Sequence, residues 1–180
     1  QQRIDILVGT QMVVKGLDFE KVSLVGILDA DGLLSFADFR AHERAFQLME
    51  QVSGRAGRKH EQGLVLIQAI NIQHPILQLV QQHEYQKMYE LEIITRREFL
   101  YPPFSRLIII TLKHKDKNIV TASAEMLAQL LRQDLSDYIV GPAQPVIGRI
   151  RNMYLMELMI KLPKEHGKSN TYKNVIRNHI

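Results

Sequence analysis

Cysteine is absent from all 180 residues, which removes disulfides, thiolate zinc sites and cysteine nucleophiles together. A metal would have to be held by histidine and carboxylate alone. The seven histidines are scattered, and none forms the i, i+4 helical pair with a nearby carboxylate that a zinc site uses. No run approaches the roughly 20 uninterrupted apolar residues of a membrane-spanning helix. The start, Gln1-Gln2-Arg3-Ile4-Asp5, has no signal-peptide pattern, so the expected setting is the cytoplasm, away from any membrane. With 46% apolar and 23% charged residues, the chain reads as one good core or two small ones.

The charge is low overall but unevenly spread. Residues 1–103 carry 11 Lys and Arg against 13 Asp and Glu, a balance of −2, whereas residues 104–180 carry 12 against 6, a balance of +6. A basic second half suits a polyanionic partner, because neutralised phosphates supply the sequence-independent part of nucleic-acid affinity.

Two unalternating apolar runs, Ile4–Val8 and Val22–Leu28, predict strands buried on both faces, as in a parallel sheet. Ala37 to about Gln51 carries a helical pattern closed by Gly54 and Gly57, and Gly63–Ala69 returns to strand. This β-loop-β-α-β rhythm predicts an α/β layer. His74-Pro75 opens a helix expected to run unbroken to about Arg97, with an apolar stripe of Leu77, Val80, Tyr85, Met88, Tyr89 and Leu91. The doubled proline of Tyr101-Pro102-Pro103-Phe104 marks a domain joint. Beyond it, Leu107–Lys113 predicts a strand, Ile119–Leu135 an amphipathic helix, and Tyr138–Gly141, Val146–Ile150 and Tyr154–Leu162 further strands. Ser169 is expected to cap a last helix. The predicted architecture is residues 1–72 as an α/β half-lobe, 73–103 as a linking helix and joint, and 104–180 as a small α+β domain of β-α-β-β-α order with its final strand missing. Both ends fall in mid-pattern, so the chain is expected to be cut from something longer. Apolar edges left by such cuts would favour dimerisation or domain swapping.

Two segments carry chemistry. After the first strand comes Val8-Gly9-Thr10-Gln11-Met12-Val13-Val14-Lys15-Gly16-Leu17-Asp18-Phe19. Thr10 offers a hydroxyl and a backbone N–H to phosphate, and Asp18 an acceptor for a sugar hydroxyl. After the helix comes Gln51-Val52-Ser53-Gly54-Arg55-Ala56-Gly57-Arg58, whose glycines uncover the backbone around two arginines three residues apart. Guanidinium groups so placed fork onto phosphate oxygens and stabilise a phosphoryl-transfer transition state. Asp29 and Asp31 read as loop-structuring residues more readily than as a metal pair. Tyr101 and Phe104 read as aromatics packed at a joint.

The two segments resemble motifs V and VI of the superfamily 2 DNA helicases, in the form found in the PriA family of bacterial replication-restart helicases. The spacing, the intervening Leu28-Asp29-Ala30-Asp31-Gly32 and Asp38-Phe39-Arg40, and the Pro-Pro-Phe joint resemble that family over residues 4–104, and the α+β pattern beyond fits its carboxy-terminal DNA-binding domain. The resemblance implies a partial RecA-like second motor lobe with Arg58 as arginine finger, Arg55 on the γ-phosphate, Gln51 a helper at the nucleotide, and Gly16 and Asp18 facing ATP. Some relatives carry histidine where this chain has Asp18. Thr10, Gln11 and Lys15 would meet the DNA backbone. In the second domain Arg149, Arg151, Lys161, Lys164, Lys168 and Lys173 form the best basic cluster. With Tyr154–Leu162 paired to Val146–Ile150 as a hairpin, several of them are expected to share one face and to touch phosphates or a flayed single strand at a fork, the alternative being a merely solvated basic face.

The Gly-rich phosphate loop with its lysine and the acidic metal motif are missing. ATP and Mg²⁺ are therefore expected to act only in a longer protein, and this chain alone to hydrolyse nothing and to hold no cofactor. The family's cysteine-rich zinc module lies outside this sequence. The resemblance further implies 3′→5′ unwinding of forked or single-stranded DNA at stalled forks, with primosome proteins and single-stranded-DNA-binding protein as partners. Two alternatives fit parts of the pattern: another superfamily 2 repair or recombination helicase, which the Pro-Pro-Phe joint and following domain disfavour, or a non-catalytic nucleic-acid-binding module.

Overall fold

A computed structural model describes residues 5–10, 22–54, 56, 63–164 and 169–179. It divides into two compact units, residues 1–93 and 94–180.

In the first unit, strand β1 (Leu24–Ile27) pairs in parallel with β2 (Leu64–Ile67), in register Leu24 with Leu64 through Ile27 with Ile67. Helices α1 (Ala30–Leu34) and α2 (Ala41–Ser53) fall between them, and α3 (Pro75–Gln81) and α4 (Tyr85–Glu98) follow, α4 crossing the division between units. Ile27, Leu34, Phe46, Met49, Ile76, Val80 and Met88 are buried together as the core. The strands are not buried on both faces as their apolar runs imply. Leu24, Leu64 and Leu66 remain more than half exposed, because among the described residues helices cover only the other face. Nor do residues 5–10 form a strand: Ile6, Leu7 and Val8 are exposed there.

The expected long helix is two helices. At the end of α3 the Glu84 N–H reaches Leu79 O at 2.9 Å and the His83 N–H reaches Val80 O at 3.1 Å, with His83 at φ 56°. That pair of bonds around a left-handed residue is the Schellman C-cap. The break turns Tyr85, Tyr89 and Leu91 outward, each about half exposed, and leaves Met88 as the buried residue of α4. The same device ends α4, where Tyr101 N–H bonds Arg96 O at 2.7 Å, Leu100 N–H bonds Arg97 O at 3.3 Å and Leu100 sits at φ 51°.

The second unit is a four-stranded antiparallel sheet with two helices. Strand β3 (Ser105–His114) pairs along almost the whole of β6 (Met153–Pro163). The other edge of β6 is shared by two short strands, β4 (Ile139–Ala143) and β5 (Arg149–Ile150). Helix α5 (Lys117–Leu135) starts where Asp116 accepts the Asn118 N–H at 2.8 Å, a side-chain N-cap. Its Ala128, Leu131 and Leu135 meet Leu158, Ile160 and Leu162 of β6, and α6 (Ser169–His179) adds Ile176. Ser169 is thus the first residue of α6 rather than a cap ahead of it. Alternation puts Leu107, Ile109, Val140, Leu155 and Met159 on the opposite, open sheet face. Among the described residues no helix is long and apolar enough to cross a membrane.

Candidate nucleic-acid interface

In the first unit Thr10 is exposed at the end of a non-strand segment, while Gln11, Lys15, Gly16 and Asp18 lie outside the described residues. Gln51 occupies the last turn of α2. Phe46 and Met49 on that helix point into the core, which leaves Gln47 and Gln51 exposed on its far side. Gly54 ends the helix, its N–H on Glu50 O at 3.0 Å. Arg55 and Arg58 lie outside the described residues. Gln51 also lines a cleft of about 410 Å³ between α1 and α2 with Leu33, Phe36, Arg44, Gln47 and Leu48. Of the residues expected at ATP, then, the described part of the chain fixes Gln51 alone, at a solvent-open position that a polar ligand can reach.

Charges around this cleft are pre-positioned. Asp38 takes the Arg40 N–H at 2.9 Å and the Arg44 guanidinium at 2.7 Å. Burial pushes the Asp38 carboxyl up, but the Arg40 N–H and the two guanidinium groups outweigh it and hold the pKa below the usual carboxylate value. Asp31 accepts the N–H groups of Ile70 at 2.6 Å and Asn71 at 3.2 Å, which also lowers its pKa. Asp29 caps α1 by accepting the Gly32 N–H at 3.1 Å. Both carboxylates are therefore committed to holding the loops at the strand ends, and among the described residues no cluster of three metal-ligating side chains exists.

His42 and His74 face each other at 5.4 Å between ring centroids. A hydrogen bond with the Glu92 carboxylate at 3.1 Å raises the His42 pKa against an opposing effect of burial. Burial, and then the neighbouring His42, lower that of His74, whose Nδ1 accepts the Ile76 N–H at the start of α3. A raised histidine contributes stability below its unfolded pKa of about 6.5 that is lost as pH rises through the folded value. A lowered one contributes above about 6.5 and is lost as pH falls through the folded value. The melting temperature of the first unit should therefore peak near pH 6.5 and fall on both sides. Melts from pH 5 to 8 should show His42→Gln flattening the alkaline limb and, by removing one of the two causes that lower His74, weakening the acid limb in part. His74→Asn, which keeps a capping side chain, should flatten only the acid one.

In the second unit Arg149 and Ile150 pair with Tyr154 and Met153 across a two-residue turn, Arg151-Asn152, with φ 48° and 65°. Two-residue hairpin turns of this kind need positive φ at both central positions. The hairpin is shorter than expected, since Val146 and Ile147 are exposed loop residues and not strand. Arg149 stacks over Tyr154 at 4.7 Å and bonds Asn152 Oδ1.

Of the four expected phosphate contacts, Arg149 and Lys161 lie on opposite faces. Lys161 pairs with Leu107 on the open face, whereas Arg149 pairs with Tyr154, seven residues before Lys161 and so of opposite parity along β6. Lys161 is also engaged already, donating to Phe99 O at 2.7 Å and standing 3.7 Å from the Tyr101 ring centroid. With Arg97 over Phe104 at 5.0 Å, Tyr101 and Phe104 are packing residues covered by cations, and the segment expected as a domain joint lies inside the second unit, which begins at Ile94. Arg149, Arg151 and Lys164 are exposed, Lys164 just after β6. Period-two parity would have separated Lys161 from Arg149 in the sequence alone had the hairpin register been known.

Known proteins share both halves of this arrangement. Residues 1–60 match the helicase conserved C-terminal domain, and residues 97–179 match the primosomal protein N C-terminal domain. The replication restart protein PriA of Bacillus subtilis is 40% identical over 179 residues, 98% of this chain and 22% of the relative. Those of Synechocystis and Treponema pallidum are 42% and 39% identical over 163 residues. The chain belongs to the PriA family. It spans 22%, 19% and 25% of the lengths of these three relatives. Within the family's two matched domains, the helicase match contains both motif segments and α2, and the primosomal match contains the joint, the antiparallel sheet and the Arg149–Asn152 hairpin.

Proposed function

We propose that this chain is part of an ATP-dependent 3′→5′ DNA helicase that restarts stalled replication forks and initiates primosome assembly in the cytoplasm. The observation that carries the reading is the order of the two matches, a helicase domain over residues 1–60 followed by a primosomal domain over 97–179. ATP is the substrate, and a phosphate loop and Mg²⁺ site elsewhere in the full protein would hold it. Arg55 and Arg58 meet its γ-phosphate and Gln51 the nucleotide, with Gly16 and Asp18 on the same side. Thr10, Gln11 and Lys15 follow the DNA backbone, so that phosphate cleavage is coupled to movement along one strand. Forked or single-stranded DNA, primosome proteins and single-stranded-DNA-binding protein are the partners this reading assigns. The second unit supplies phosphate contacts through Arg149, Arg151 and Lys164, while Lys161 braces the joint.

Binding of a labelled forked DNA across a salt series tests the reading. The chain should bind with log affinity falling linearly in log salt, and R149Q/R151Q/K164Q should make that slope shallower by about 3, one for each phosphate no longer neutralised. An unchanged slope in a folded variant sinks the assignment of these residues. The chain alone should show no ATP hydrolysis above buffer. Adding the rest of the protein should restore it, and Arg58→Ala in the full protein should lower kcat by about 10³ or more.

A further inference from the structure

Phosphate binding by the hairpin leaves its apolar residues without a role. Val146 and Ile147 are 78% and 65% exposed, and Ile150 is 49% exposed beside them. The first two sit in the loop between β4 and β5, next to Arg149 and Arg151. The loop is shaped and does not trail: the Leu155 N–H holds Gly148 O at 3.0 Å, and the Gln144 amide lies where a Cβ at position 148 would fall. From Tyr138 to Met156 the sequence contains two arginines and no acidic residue. Arg151 moreover occupies a positive-φ turn position, at φ 48°, where glycine, asparagine or aspartate is the sterically preferred choice. A long cation placed there against local preference points to a role at the tip.

Phosphate contact alone needs no exposed aliphatic pair. Two adjacent branched side chains followed within four residues by two arginines instead match the way nucleic-acid-binding proteins wedge apolar residues against a base step while cations hold the neighbouring phosphates. A protein partner fits less well. The apolar tip is a few side chains wide, far below the roughly 800 Å² per partner of a stable protein interface, and the charged residues within Val146–Asn152 are both arginines.

We propose that Val146–Asn152 is a wedge for a single-strand/duplex DNA junction. Val146 and Ile147 wedge against the last base pair, whose outer face is open at a fork, and part it from its inner neighbour, while Arg149 and Arg151 grip nearby phosphates. The proposal rests on the DNA-binding reading and adds to it the side chains that meet the junction.

Two DNAs distinguish the two claims. One is a fork with 2-aminopurine in the last base pair, and the other an uninterrupted duplex with the same base inside. Binding by the 180-residue chain should brighten the probe at the fork and leave the duplex probe dim, with the fork bound about tenfold more tightly. V146S/I147S, two exposed positions whose replacement leaves the fold intact by circular dichroism, should abolish the brightening and the preference while keeping the salt slope. R149Q/R151Q should lower the slope by about 2 on both DNAs. A V146S/I147S variant that brightens the fork probe like the parent, or a parent that brightens both probes equally, overturns the wedge and leaves phosphate binding standing. Absence of binding by the parent overturns both.

Discussion

Leu158→Ala should destabilise the second unit by about 3–5 kcal/mol, the upper part of the range for truncating a fully buried leucine. Leu158 is fully buried at 0% exposure and lies in β6, the strand on which β3, β4 and β5 all pair. Its side chain meets the α5 residues Ala128, Leu131 and Leu135. The lost methyl groups leave a cavity that a strand held by neighbours on both edges cannot close by moving, so the cavity cost adds to the transfer cost. Leu158→Ile, which conserves volume, should cost less than about 1.5 kcal/mol. Urea titration followed by circular dichroism measures both. Two units of separate core should melt separately, and the variant should move the midpoint of the second alone. A shift of both, or a cost under about 1 kcal/mol, far below the range for a buried leucine, would show that β6 is not the keel of this unit. Because β5 has only Met153 and Tyr154 of β6 as partners, the hairpin should lose its order, and with it DNA affinity, at the same urea concentration.

Legibility in the sequence differs from element to element. Strand β3 and helix α5 were legible because Leu107–Leu112 is a β-branched run and Val120, Ala124 and Leu131 recur at a helical period. The break between α3 and α4 was not. The rule for a helix end looks for glycine, and here a left-handed histidine does glycine's work, so a strong apolar pattern ran straight across it. Helix α1 escaped for a related reason, since five residues cannot show a period and its cap, Asp29, itself adopts φ 56°. Of the two unalternating runs, Val22–Leu28 identified a parallel strand correctly but overstated its burial, because a sequence run records what a strand is suited to bury and not what the described residues provide to cover it, whereas Ile4–Val8 forms no strand over its described residues. At the basic cluster the residue types were readable and their faces were not, because the face of Arg149 depends on a register set by a two-residue turn. The motif arginines are the reverse case: their chemistry is legible from residue type and spacing, and their positions lie outside the described residues.

Gly141→Val is expected to cost about 3–5 kcal/mol, the sum of a strained backbone and an overpacked site. Gly141 sits at φ +96°, and a Cβ there would stand 2.9 Å from Glu157 O and 3.1 Å from Ala143 N. Both are backbone atoms, one on the central strand and one two residues on in β4 itself, so neither can swing aside as a side-chain tip would. The residue falls where the β4–β6 register shifts between Val140 and Ala143, and its carbonyl accepts the Arg132 guanidinium from α5. Relief of the clash therefore has to come from the strand pairing itself, which would also displace the loop that carries Val146 and Ile147. Gly141→Ala should show the same direction with a cost of about 2 kcal/mol or more, since the conformational strain alone is present for any side chain. Gly26→Ala is the matched control. Nothing lies within 4 Å of the Cβ it would add, and a glycine inside a strand is entropically costly, so that substitution should be neutral or stabilising by up to about 1 kcal/mol in the first unit. Thermal melts of the three variants decide the matter. Equal midpoints for Gly141→Val and the parent would mean that the chain at 141 relaxes to an ordinary conformation without cost, and the β4–β6 register shift would then not be set by this residue.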